Sequence, residues 1–328
     1  MIATLPDRLL DVFERSVTTE YVTIDHRGQP IVWPVTPYFR RDDQTIDVTT
    51  GLGYPKKADD AAANPHVALL FSDPTGSGLE DPPMVLVQGT ATVDDHDLDA
   101  NRERYAREMA AKLPAAGARQ PPAALRPLFD WYATRIYVRV RPERVYSWPE
   151  EDPEREPELL DAHLEEVRSG HNEEPEEGHA PPEGGGAVWH ERLEELGRDH
   201  PTAALAVVGP DGFPFAVRVA VRADRTAGLV HLEADPVGAP LEPGLACVTA
   251  HAHAPDFTWQ RNFQVRGDLV RAGDGWALAF YRVVGGIELP PDAGLRDHAS
   301  TARKALRYAR IARTQRRRRG RGRGRGVG

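Results

Sequence analysis

Apolar residues recur along this chain with two periods, and the switches between them mark its elements. Across residues 5–17, Leu9, Leu10, Phe13 and Val17 fall at helical spacing and predict an amphipathic first helix. Strand patterns follow. Residues 21–25 and 30–39 flank His26-Arg27-Gly28-Gln29, a short polar turn with glycine, and predict a hairpin. Residues 45–50, 67–72 and 84–93 are rich in β-branched and large apolar side chains, the composition of strands. Between the first two of these, residues 54–63 are alanine-rich and helix-compatible, with a stop at Asn64-Pro65. A longer helix is expected over 98–112 and a short one over 125–132. A strand is expected over 136–148, interrupted at Arg141-Pro142.

The pattern then lapses and starts again. Residues 149–183 hold 14 acidic residues, two arginines and six prolines, too little apolar surface to offset the entropy of ordering. A solvated linker is expected there, with room for a short helix over 159–167. Beyond it, 188–196 reads as helical, and 204–208, 213–221, 228–233, 245–250 and 262–270 read as strands. The second hairpin turns at Gly209-Pro210-Asp211-Gly212.

This is a diverged internal repeat. Gly28-Gln29-Pro30 corresponds to Gly212-Phe213-Pro214, Val67-Ala68-Leu69-Leu70 to Leu245-Ala246-Cys247-Val248, and Val87-Gln88-Gly89 to Val265-Arg266-Gly267. The spacing between copies shortens across a lysine-containing segment that the second copy lacks. Two small antiparallel sheets, each with a leading helix, would close edges and share a core. The division is 1–148 for the first copy, 149–186 for the linker, 187–290 for the second copy and 291–328 for a basic tail.

Composition sharpens this. The formal net charge is −9, from 41 basic and 50 acidic residues, but the basic residues are unevenly placed. From Arg303 to the end there are 12 basic residues and no acidic ones, so an acidic body carries a basic tail. No apolar run reaches the roughly 18 residues needed to cross a bilayer, and the first residues lack the apolar block of a secretory signal. A cytoplasmic protein is expected. Cys247 is the only cysteine, which excludes an intrachain disulfide and any multi-cysteine metal site.

The most informative stretch is Val48-Thr49-Thr50-Gly51-Leu52-Gly53-Tyr54-Pro55-Lys56-Lys57-Ala58, followed by Asn64-Pro65-His66-Val67-Ala68-Leu69-Leu70-Phe71. A strand ends in two threonines, a glycine-containing loop follows, and two lysines open a helix. Loop amides, hydroxyls and lysine charges at a helix start suit a phosphate group, although paired lysines there are more often a solvated face.

In this order the segments resemble the pyridoxamine 5'-phosphate oxidase-like, FMN-binding split-barrel superfamily. The resemblance is carried by Arg27-Gly28-Gln29-Pro30, Val48-Thr49-Thr50, Lys56-Lys57-Ala58, Asn64-Pro65-His66-Val67 and Val85-Leu86-Val87-Gln88-Gly89. It closes on Pro142-Glu143-Arg144-Val145-Tyr146-Ser147-Trp148. It implies a mainly β (α+β) split barrel in tandem copies that form an intramolecular pseudo-dimer. It also implies a flavin-type cofactor between two barrels, FMN or alternatively the deazaflavin coenzyme F-420, and an oxidoreductase acting on a small organic substrate.

Carried across, the resemblance places Lys57 and the adjacent Lys56 at the cofactor phosphate, Thr49 and Thr50 near phosphate or ring, and Trp33, Pro34 and Val35 beside the flavin. Pro83-Met84 replaces the Arg-Gln pair of true pyridoxamine-phosphate oxidases, which argues against vitamin B6 oxidation. In the second copy, Arg261, with Trp259 and Asn262, is expected to complete the one intact site. No catalytic residue stands out.

The alternative class is a non-catalytic flavin-, deazaflavin- or haem-binding module whose Arg/Gly tail contacts nucleic acid nonspecifically. That tail begins helically near Thr301, with Ala302, Leu306, Ala309 and Ala312 near one stripe, and is expected to end in disorder. Its other reading is a disordered tail drawn to the protein's own acidic surface. His251-x-His253, near Asp256, would put two imidazoles on one strand face, but without a further ligand set no metal is expected.

Overall fold

The computed structural model describes residues 5–115, 129–148, 152–161, 189–286 and 295–321. Helix α1 (Asp7–Arg15) buries Leu9, Leu10, Val12 and Phe13. Strands β1 (Thr19–Ile24) and β2 (Pro30–Val35) form the expected hairpin. The apolar run after Pro30 breaks before β3 (Tyr38–Arg40), which pairs instead with β4 (Thr45–Gly51). The lysines open α2 (Lys56–Ala63), which leads to β5 (His66–Phe71) and β6 (Met84–Asp94). Helix α3 (Leu98–Lys112) starts at an Asp97 side chain that accepts from the amides of Asp99 and Ala100. A single turn, α4 (Asp130–Ala133), precedes β7 (Arg135–Trp148).

In the first half these strands form a sheet in the order β2-β1-β5-β6-β7-β4-β3. Residues expected as linker helix supply instead a short strand, β8 (Glu158–Asp161), on β7; residues 162–188 lie outside the described residues. The helix expected over 188–196 is a 3-10 turn at Glu191–Glu195.

The second half is a closed barrel of β9 (Thr202–Val208), β10 (Pro214–Asp224), β11 (Leu229–Leu232), β12 (Gly244–His253), β13 (Gln260–Ala272) and β14 (Gly275–Gly285). The sequence reading has no counterpart for β14. Its apolar residues give way to Tyr281 and Arg282, which masks the alternation. The repeat itself is visible in geometry. β6 and β7 slip register between Gln88 and Gly89, and β13 and β14 slip between Arg266 and Gly267, the matching position. At each bulge the glycine lies so close to a backbone carbonyl, that of Arg141 or of Ala279, that a Cβ would collide with it.

The two halves share a core. Along β5, Val67, Leu69 and Phe71 point into the first half while Ala68 and Leu70 join the core of the second. Both faces of the strand are buried, which is why its sequence is continuously apolar. Val22, Val32, Met84, Leu86 and Trp148 cross into the same shared core. Side-chain amides tie the seam: Gln29 Nε2 donates to the Ala246 carbonyl and Gln88 Nε2 to that of Pro214, each at 2.9 Å.

The basic tail is helical, as its first part suggests, but for longer than the sequence indicates. Helix α5 (Leu295–Arg321) carries the arginine run through Arg321 in place of the expected disorder; residues 322–328 lie outside the described residues. Ala305, Tyr308, Ala309 and Ala312 pack on the first half, whereas Leu306 of the expected stripe is 65% exposed. Arg319 pairs with Asp59 and Asp95, and Arg316 with Asp99 and Asp130. The acidic body therefore orders these residues. No described helix is long and apolar enough to cross a membrane.

Candidate functional site

A cavity of about 450 Å³ opens where β2, β4 and α2 of the first half meet β13 and β14 of the second, with α3 and α5 closing one side. Its placement follows from the loop after β4. The Thr50 hydroxyl donates to the Tyr54 carbonyl at 2.8 Å, and the Tyr54 amide donates to the Gly51 carbonyl at 2.9 Å. This folds Gly51-Leu52-Gly53-Tyr54 tightly and aims the start of α2 at β2. Trp33, Pro34, Val35, Thr49, Lys56, Lys57 and Asn262 all line the cavity.

The two lysines differ. Lys56 is engaged by Asp60 at 2.9 Å and Asp25 at 3.7 Å. Lys57 meets no carboxylate within ion-pair distance among the described residues. Its ammonium lies over the Trp33 ring, 5.6 Å from the centroid, and over Tyr54 at 5.3 Å. Burial, with the nearby Arg135 charge, brings the Lys57 pKa down to about 8. Arg135 is itself buried among phenols. It donates to Tyr54 at 3.0 Å and to Tyr105 at 2.6 Å, and it lies over the Tyr105 and Tyr132 rings.

Three of the residues expected at the site lie elsewhere. Thr50 turns inward to hold the loop, because neighbours on a strand face opposite sides. The same alternation separates β13. Gln260, Asn262 and Arg266 face the cavity, whereas Arg261 points away and pairs with Glu195 at 2.6 Å. Trp259 precedes the strand and is not among the lining residues. In place of Arg261, the second half supplies Arg266 and Arg282, and α5 supplies Arg307 and Tyr308. Among the described lining residues there are six cationic side chains and no carboxylate, against a wall that includes Trp33, Tyr54, Tyr105, Tyr132 and Tyr308. Such a surface suits an anionic ligand with an extended aromatic body.

The cavity is not the seat of the two histidines. His251 and His253 stack with ring centroids 6.4 Å apart in the seam, where His251 meets Glu20 at 2.8 Å and both approach Asp73.

No protein-family model and no curated protein matches the sequence. Solved structures do. A putative pyridoxamine 5'-phosphate oxidase from Listeria innocua is 16% identical, covering 44% of this chain and 98% of its own, with a TM-score of 0.31. An F-420 reductase is 23% identical over 41% of this chain and 92% of its own, TM-score 0.31. HutZ of Vibrio cholerae, described as a haem storage protein, is 14% identical over 44% and 94%, TM-score 0.32. Each spans about half of this chain. By its own strand order and its repeated bulge, the fold of this chain is a tandem split barrel.

The tandem split barrel has a second position related to the cavity by its own repeat, and there the space is filled. Aligned on the two bulges, Arg282, Val284 and Gly286 of β14 and its end correspond to Arg144, Tyr146 and Trp148 of β7. Trp148 is fully buried, edge-on to Phe215 at 6.1 Å, and Tyr146 packs on the same ring at 5.5 Å. At Gly286 a Cβ would collide with Asn262 Oδ1, so the glycine makes room there for the Asn262 side chain at the cavity wall.

The site residues that sequence reasoning missed had a partial signal. Arg266 sits within the repeated Val-x-Gly segment, and counting by twos from Asn262 reaches it. Arg135 and Tyr308 are brought in from afar by packing, and no local pattern marks them.

Proposed function

We propose that the cavity binds a flavin-type cofactor, FMN or alternatively F-420, and that the protein is an oxidoreductase acting on a small organic substrate. The observation that carries this is the set of cations on an aromatic wall with no described carboxylate to neutralise Lys57 or Arg135. Lys57, placed at the start of α2 and desolvated, would hold the cofactor phosphate. Arg135, which the surrounding phenols keep firmly protonated against the cost of its burial, adds field from behind without itself titrating. Trp33 and Tyr54 offer faces to a planar ring, and Asn262 an amide to its polar edge. A flavin held there supplies hydride or electron transfer, and the chain orients it and limits access of water. The haem alternative has less support, since no histidine or cysteine is among the described residues lining the cavity.

The test is direct. Purified protein, as isolated or after titration with FMN or F-420, is expected to show a flavin-type absorption band with quenched fluorescence. Lys57→Gln should weaken FMN at least tenfold, about 1.4 kcal/mol. A preparation that binds neither cofactor sinks this reading. Flavin bound but never reduced by nicotinamide donors would leave the non-catalytic module.

A further inference from the structure

Arg266 and Arg282 stand directly opposite each other on β13 and β14, and both side chains line the cavity. Like charges at facing positions of an antiparallel pair repel. Neither arginine has a carboxylate within ion-pair distance among the described residues. Arg266 is 9% exposed, and among the described residues its side chain donates from Nε to Gln264 Oε1. Gln264 is held in turn, its Nε2 donating to the Val32 carbonyl across the seam. The guanidinium is thus braced through Nε, and the residue lines the cavity. The carboxylate whose field reaches it, Asp25, is engaged by Lys56.

The first half shows how such a pair is made neutral. The matching positions hold Gln88 and Arg144. There Arg144 donates to Gln88 Oε1 at 3.1 Å and pairs with Asp211. One cation is absent and the other is satisfied. In the open cavity both cations are kept, and neither has a carboxylate partner among the described residues. Lys57 can relieve its burial by losing a proton, but an arginine cannot. Arg266 is the buried member of the pair and Arg282 the exposed one, so an anion bridging them would offset both the burial of Arg266 and the repulsion between the two charges.

We propose that Arg266 and Arg282 form a second anion subsite, taking the carboxylate or phosphate of a small co-substrate bound beside the cofactor. It deepens the reading of the cavity as a cofactor site and rests on that reading, with the cofactor phosphate at Lys57 and the second anion at the paired arginines. A forked guanidinium pair accepts a planar or tetrahedral oxyanion through parallel N–H···O bonds.

The test uses the full chain loaded with FMN and titrated with inorganic phosphate in one arm and succinate in the other. Arg266→Gln copies the residue the first half carries at that place, and Arg282→Gln removes an exposed side chain, so both should fold. Each is expected to weaken one or both anions at least tenfold while changing FMN affinity less than threefold, and Lys57→Gln should do the reverse. Tighter phosphate than succinate assigns a phosphorylated co-substrate, and the opposite order a carboxylate. The proposal is overturned if either arginine variant weakens FMN as much as Lys57→Gln, which would make the pair part of the cofactor site. It is equally overturned if loaded wild type binds neither anion more tightly than the variants. Should FMN fail to bind at all, the cofactor reading fails separately. The same anions titrated on flavin-free protein then decide the pair: loss in the arginine variants sustains the subsite, and no difference from wild type removes it.

Discussion

At the scale of single residues, Lys57 shows how burial and function are coupled. Its pKa of about 8, set by desolvation with Arg135 contributing, means that the free protein holds it cationic only below that pH. An anion bound to it must pay for protonation above pH 8. With phosphate already dianionic above about pH 7, the dissociation constant for FMN should stay flat to about pH 8. It should then rise toward tenfold per pH unit. Lys57→Arg keeps its charge through this range and should flatten the profile even if its affinity is lower. Fluorescence titrations from pH 7 to 9.5 check this, and a flat wild-type curve would show that Lys57 does not hold the anion. The residues of this site were unevenly legible in the sequence. Lys56 and Lys57 are local to one helix start and could be read from their neighbours. Arg261 could not be told from Arg266 without the phase of β13, because strand alternation decides which of them faces the cavity.

At the scale of elements, the repeat was legible where both copies bury the same apolar strands, as in Val67–Leu70 and Leu245–Val248. It was illegible at β14, where Tyr281 and Arg282 break the pattern; in α5 the Ala309 and Ala312 stripe was legible, but the ion pairs of Arg316 and Arg319 reach distant carboxylates that no local pattern marks. The paired bulges are the part of the repeat most exposed to mutation. Gly267 meets the Ala279 carbonyl and the Phe280 Cα, the latter 2.7 Å from where a Cβ would stand. Both contacts are backbone, so nothing flexible can yield. Gly267→Ala should therefore cost about 1–3 kcal/mol through forced opening of the β13–β14 ladder. Because the same ladder carries the Arg266–Arg282 pair, the variant should also lose affinity in the anion titration. Chemical denaturation gives the first quantity. A midpoint unchanged from wild type would mean that the bulge relaxes without strain.

At the scale of the whole molecule, the seam between the halves determines whether they can be treated separately. Glu20 is wholly buried there, between Arg218, His251 and the Ser72 hydroxyl. Burial alone would raise its pKa, but the Arg218 charge and the hydrogen bonds from His251 and Ser72 outweigh this and bring it down to about 2. A carboxylate with a depressed folded pKa stabilises the fold above its unfolded value near 4.5, and that contribution is lost as pH falls toward 2. Arg218→Ala removes the main compensating charge and leaves the burial. At pH 7 it should cost about 3–5 kcal/mol, the usual penalty for stranding a buried charge. The sign then reverses with acid. In the variant Glu20 takes up a proton more readily than in the unfolded chain, so the gap between variant and wild type should narrow from pH 7 to pH 3. Because Val22, Leu70, Met84 and Trp148 of the first half belong to the core of the second, both halves should melt together in each protein. Calorimetry at the two pH values measures all of this. A constant gap would mean that Glu20 is not the group responsible, and two separated transitions would mean that the shared core does not couple the barrels.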